Sequence, residues 1–158
     1  MPVETLDDAK ALIETWVNDR GFPISTIPVS DKFNFQFGGI SSLGIGFAII
    51  QPKDLKRAIA VVTRIEFDPV HIKVLESLDQ NDRDEFLWNL KKDLLFNPPA
   101  FFFSDPNHPK FIEFLMHVSF DEITEGRLQN AMDQTVRSVL FVAWSLSRRF
   151  GVPKGEEK

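Results

Sequence analysis

Hydrophobic and polar positions change period several times along the 158-residue chain, and each change marks an element. Leu6, Ala9, Leu12, Ile13, Trp16 and Val17 recur every three or four residues, the period of a helix with one buried face. Thr5, with Asp8 three residues on, offers a capping box, and Gly21 followed by Pro23 offers the stop. Residues 24–29 are short, extended and carry Pro28, so they make an edge strand at best. Beyond a turn at 30–32 the period drops to two. Phe33, Phe35 and Phe37 alternate with Asn34 and Gln36, and 38–42 then reads as a flexible connection. Leu43, Ile45, Phe47 and Ile49 resume the alternation, with Gly44, Gly46 and Ala48 leaving the opposite face nearly bare. After a turn at 52–56, Ile59, Val61, Thr63, Ile65 and Phe67 alternate again. These segments predict an antiparallel meander.

The helical period returns at Asp68 and Pro69, first to about Ser77 and then from about Asp79. In the second piece Phe86, Leu87, Leu90 and Leu94 form the core stripe. Trp88 and Leu95 project at roughly 200° and 180° from Phe86, on the far side. Asn97, Pro98 and Pro99 stop that helix. Residues 100–104, with three consecutive phenylalanines, predict a short strand, and 105–109 a rigid turn. Residues 111–120 form the clearest strand, expected to bury Ile112, Phe114, Met116 and Val118 and to turn Glu113, His117 and Ser119 outward.

The chain is organised around its last helix, 124–150. Thr124 is its N-cap, Arg148 and Arg149 sit in its last turn, and Gly151 and Pro153 end it. Leu128, Ala131, Met132, Thr135, Val136, Val139, Val142, Ala143, Leu146 and Phe150 fall on one face. Leu140, Phe141 and Trp144 fall on the other, which therefore needs a second cover, another helix or another subunit. The expected fold is α+β: an antiparallel sheet with the N- and C-terminal helices packed on one face, in the order helix, meander, helix, hairpin, helix. Residues 1–153 read as one domain and 154–158 as a charged, frayed tail.

Composition narrows the function. The net charge of −5 is spread along the chain, which argues against nucleic acid as a partner. The absence of cysteine excludes disulfides, thiolate metal sites and a cysteine nucleophile. No apolar run reaches the ~18 residues of a membrane span, and the N-terminal segment does not resemble a signal peptide, so a cytoplasmic protein is expected. Sixteen Phe and no Tyr imply a bulky aromatic core without phenol hydrogen bonds.

Candidate chemistry is thin. The glycines at 38–46 lack both the Lys–Ser/Thr ending of a phosphate loop and the third glycine of a dinucleotide fingerprint. Ser41 lacks the closing glycine of a nucleophile elbow. His71, His108 and His117 each have one acid nearby (Asp68, Asp105 and Glu113), but no two share a face. They read as surface histidines, with Asp105 and His108 as the residual metal pair. Asp79, Asp82, Asp84 and Glu85 read as dipole compensation on a solvated helix start. Glu66 or Glu113 could serve as an acid or base, but nothing singles them out. No catalytic residue, cofactor site or metal site is assigned.

Three stretches carry a resemblance: Ile65-Glu66-Phe67-Asp68-Pro69, Glu85-Phe86-Leu87-Trp88-Asn89-Leu90-Lys91, and the strand ending Phe120-Asp121 before the long helix. Through them most of the chain resembles an uncharacterised, mainly archaeal family of small domains of unknown function. Its order of elements is similar to the YbjN and type III secretion chaperone-like architecture, from which it departs by up to four strands before the middle helix. That resemblance implies a homodimer without catalysis, and the secretion chaperones of this class bind extended segments of other proteins.

Two functions follow. The first is a non-enzymatic, dimeric protein-binding or adaptor module, whose interface residues would be Trp88, Leu95, Phe141 and Trp144, and whose partners would be a second copy and another protein. The second is an enzyme or small-ligand binder with a pocket between helices and sheet, beside the bare face at Gly44 and Gly46.

Overall fold

The computed structural model describes residues 2–22, 24–25 and 30–153. Pro23, the 26–29 part of the expected edge strand and the expected tail at 154–158 lie outside the described residues. The elements are α1 (Leu6–Arg20), β1 (Ile24–Ser25), β2 (Phe33–Ile40), β3 (Gly46–Pro52), β4 (Ala58–Glu66), α2 (Pro69–Ser77), α3 (Gln80–Leu94), β5 (Ala100–Phe103), β6 (Phe111–Ser119) and α4 (Glu125–Phe150). The sheet has the order β1-β2-β3-β4-β6-β5, with β1–β2, β2–β3 and β3–β4 antiparallel. The fold is the expected α+β arrangement, with the N- and C-terminal helices on one face of the sheet. The chain divides into two compact units, Met1–Thr63 with Leu115–Val136, and Arg64–Phe114 with Arg137–Lys158.

In the first unit, α1 begins as its cap residues dictate. The Asp8 amide donates to Thr5 Oγ1 at 3.1 Å, and the Thr5 amide donates to Asp8 Oδ2 at 2.9 Å. The hydrogen bond with the Thr5 side chain, backed by the amides of Thr5 and Glu4, holds the Asp8 carboxyl below the usual carboxylate range. Gly21, at φ +61°, closes the helix in the left-handed region. The buried side of α1 carries Ala9, Ile13, Trp16 and Val17.

Two contacts place both terminal helices on the same sheet face. The Trp16 ring lies 6.4 Å from that of Phe47 on β3. Phe47 is paired across the ladder with Thr63 on β4, whose hydroxyl donates to the Thr135 carbonyl of α4 at 3.2 Å. Cross-strand partners share a face, so α1 and α4 cover the same one.

The meander differs from its sequence pattern at the first hairpin. β2 runs on through Gly38 and Gly39 to Ile40, and both glycines are buried. Gly39 is paired with Phe47, and a β-carbon on it would meet that ring at 2.7 Å. The glycine is there because the ring crosses the neighbouring strand. Gly39→Ala should therefore cost about 1–3 kcal/mol of stability, measured by urea unfolding, through overpacking. A midpoint equal to that of the parent would mean the ring can swing aside. The turn itself lies further on. Gly44 takes φ +77°, the Ser41 amide donates to the Ile45 carbonyl at 2.8 Å, and Ser41 Oγ accepts from the Ile45 amide at 3.2 Å. Leu43 and Gly44 thus belong to the turn, not to a bare strand face.

Gln51 holds the next turn. It is buried on the face shared with Phe47 and Ile49. Its Nε2 donates to the Leu55 carbonyl and, at 3.3 Å, to that of Ala58, while its Oε1 accepts from Asn34. A core amide is tolerable only when satisfied in this way. On the C-terminal part of β6, Val118 is buried as expected, whereas Met116 is only half-buried.

In the second unit, Asp68 caps α2 by accepting from the Val70 amide at 2.8 Å, with Pro69 in the first turn. Asp79 caps α3 by accepting from the Asp82 amide at 2.9 Å. Ile112 and Phe114 are buried. Glu113, turned the other way, meets Arg64 Nη2 at 2.8 Å, and the Arg64 guanidinium lies 4.1 Å from the Phe111 ring centre.

His71 is not a surface histidine. It is buried, with Nε2 2.8 Å from the Gly151 carbonyl and its ring 6.3 Å from that of Phe150. A carbonyl only accepts, so Nε2 carries the proton. The bond satisfies a carbonyl just past the end of α4, where none has a helical partner. Gly151, at φ +88°, completes that end.

Candidate interaction surface

α3 buries Leu87, Leu90 and Leu94 on one side. The other side is open: Trp88 is 65% exposed, Leu95 70%, and Phe96, one residue beyond, 86%. The segment after Phe96 does not cover Trp88. On α4, Trp144 is 68% exposed and Phe141 half-buried. Sequence periodicity therefore located three strongly exposed side chains, and a fourth, Phe141, that is partly covered. It missed Phe96 and Phe102, the latter 57% exposed on β5. Phe96 stands past the helix, where the helical period no longer applies, and one phenylalanine within a run of three gives no sign of which side it takes.

Lys91 links α3 to the second hairpin. Its Nζ donates to the Pro106 carbonyl at 3.1 Å and lies 5.0 Å from the Phe103 ring centre. Lys91 is three residues from Trp88 and four from Leu95, so this side of α3 approaches Phe103, whose side of β5 is opposite that of Phe102.

A groove of about 370 Å³ separates α3 from the second half of α4. Asp82, Glu85, Asn89 and Asp93 line it with Phe86, Leu90, Ser145 and Arg149. It holds no histidine, and the Ser145 hydroxyl donates to the Phe141 carbonyl at 2.8 Å. A nucleophile paired with a base is therefore not assembled there.

The metal candidates separate. Asp105 Oδ1 accepts from the amides of Asn107 and His108, both at 2.8 Å, which hold its carboxyl below the usual range. Asp105 and His108 thus build a turn, not a ligand pair. His108 and His117 are exposed, and Glu113 is engaged by Arg64. Among the described residues no group of three or more His, Asp or Glu could hold a metal ion. No helix among them is long and apolar enough to cross a membrane.

The crystal structure of an uncharacterized protein from Methanothermobacter thermautotrophicus superposes with a TM-score of 0.84 at 22% identity, covering 90% of this chain and 99% of that one. The ExsC–ExsE complex contains a chain matched at TM-score 0.59 and 8% identity, over 96% of this chain and 100% of that chain. The Yersinia pestis type III secretion chaperone SycH, in complex with a stable fragment of YscM2, matches at TM-score 0.51 and 10% identity, over 83% of this chain and 96% of that chain. At these identities the likeness is one of fold. No curated protein matches the sequence significantly. The family described as "Uncharacterized conserved protein (DUF2299)" matches residues 9–146, and the chain belongs to that family.

Proposed function

We propose that this protein is a non-enzymatic, homodimeric, cytoplasmic protein-binding module, held as a dimer through the outer side of α3. The observation that carries the reading is the exposure of Trp88, Leu95 and Phe96 on and just beyond one helix. Two aromatic side chains at ~150–250 Å² each, with one leucine beside them, expose on the order of 400 Å² of apolar surface. That is about half of the ~800 Å² per partner in a stable interface. Lys91, Lys92 and Asp84 supply a polar rim on the same helix. The structures that share the fold include chains solved in complexes with another protein, which favours a binding role over a catalytic one. Residues 1–153 act as one domain in this reading, because β4, β6 and α4 each contribute to both units.

Sedimentation of a Trp88→Glu, Leu95→Glu double variant tests it. The parent should be dimeric at micromolar concentration. Truncating one interface anchor often costs ~2 kcal/mol, so the variant's dimer constant should weaken by at least ~30-fold. A parent that is monomeric at high micromolar concentration, or a folded variant that stays as tightly dimeric, overturns the proposal. In the second case Phe141 and Trp144 become the next surface to change.

A further inference from the structure

We propose that the outer side of α4 is a docking surface for another protein, and that what it takes is an acidic amphipathic helix. This rests on the protein-binding reading, not on the α3 dimer. At ~100° per residue, Arg137, Phe141, Trp144 and Arg148 fall within a sector of about 60°, away from the buried stripe of Val139, Val142 and Leu146. They recur at intervals of four, three and four residues. The two arginines therefore stand about 16 Å apart along the axis, with both rings between them. Trp144 and both arginines are exposed, and Phe141 is half-buried.

Among the described residues neither arginine has an ion-pair partner: the pairs are Arg57 with Asp121 and Arg64 with Glu113. The nearest acid on this side of the helix, Asp133, lies one turn before Arg137 and accepts from Gln129 Nε2 at 2.9 Å. Tryptophan and arginine are the side chains that most often anchor protein interfaces, and here the rings sit at the centre with the charges at either end.

The charge pattern selects the occupant. Positions 137 and 148, like 141 and 144, are symmetric about one point on the helix. An antiparallel pairing of two copies about that point sets Arg137 of each against Arg148 of the other. A parallel pairing sets each arginine against its own equivalent. Like charges meet in both, so a second copy is the wrong cover. A nucleic acid strand would meet the arginines, but its many phosphates would also meet a chain of net charge −5. A helix with two carboxylates at the spacing of the arginines, and apolar side chains between them at the spacing of the rings, complements the whole stripe.

NMR titration of the full chain tests it, because each indole N–H gives its own signal. The probe is an Ala-rich peptide of about 18 residues, long enough to form a helix, with two glutamates and two leucines at those spacings. It should shift the Trp144 indole signal and leave that of Trp16 in place. Replacing both glutamates by lysine should weaken binding at least ~tenfold, and Trp144→Ala, followed at the backbone amides of α4, should weaken it about 30-fold. An Arg137→Glu, Arg148→Glu variant should reverse the preference and take the lysine peptide. Equal binding of the two peptides by the parent, or no shift at Trp144 with either, overturns the proposal. So does a Trp144 shift obtained only with a single-stranded oligonucleotide. A Trp144→Glu variant whose dimer is weakened in sedimentation also overturns it, since this side would then be a contact between copies. The Trp88→Glu, Leu95→Glu variant should bind the peptide as the parent does, so failure of the α3 dimer and failure of this surface are read separately.

Discussion

Val139→Asp should leave the protein largely unfolded at 25 °C. Val139 lies on the buried side of α4, between Val136 and Val142, which are also buried. No charged group lies on that stripe to pair with the carboxylate, and the nearest polar side chain on it, Thr135, already donates its hydroxyl to the Met132 carbonyl at 2.9 Å. Burying an unpaired carboxylate belongs to the small class of changes that cost more than ~4–5 kcal/mol. Domains of this size are stable by only ~5–15 kcal/mol, so the change consumes much or all of the margin. The control is Val139→Ala, which removes two methyl groups and should cost about 1–3 kcal/mol. If the two variants melt alike, the carboxylate has reached water and this side of α4 is not sealed.

Trp16→Ala should be the most damaging truncation in the first unit, at about 3–5 kcal/mol. Trp16 is fully buried, and its ring lies 5.4 Å from that of Phe22 and 6.4 Å from that of Phe47. Removing it leaves those aromatic neighbours facing a cavity. Trp16→Phe should behave differently. The indole N–H has no hydrogen-bond partner among the described residues, so losing it removes an unsatisfied donor along with some volume. The two effects oppose each other, and a net cost below ~2 kcal/mol is expected. Guanidinium unfolding of both variants separates the cases. Equal costs would show that the N–H is hydrogen-bonded in solution.

Much of the architecture was legible because its signals are local. Thr5 with Asp8, Asp68 with Pro69, Asp79, Thr124 and Gly151 mark helix ends within a few residues of the bonds they make. The outward turn of Trp88 and Leu95 followed from angle alone. What the sequence hid depends on distant partners. Gly38 and Gly39 look like a loop until Phe47 is seen lying across the strand beside them. His71 looks like a surface residue because the carbonyl that engages it is 80 positions away. Gln51 breaks the apolar alternation of β3, but the carbonyls it binds sit beyond a turn, where no periodicity points to them. The exposed apolar side chains were only half legible, since Phe96 and Phe102 lie outside any helical stripe.

The uneven burial of the three tryptophans has an optical consequence. With no tyrosine in the chain, emission excited at the red edge of the indole band, beyond phenylalanine absorption, belongs to three indoles alone. Trp16 is sealed inside, while Trp88 and Trp144 face solvent. A neutral quencher such as acrylamide should extinguish Trp144 first, and Trp88 with it wherever the outer side of α3 is uncovered, leaving a blue-shifted remainder from Trp16. That remainder reports on folding. The quenchable part from Trp88 reports on whether another molecule has covered α3, so a single unlabelled sample carries separate fluorescent reporters for its interior and for the outer side of that helix.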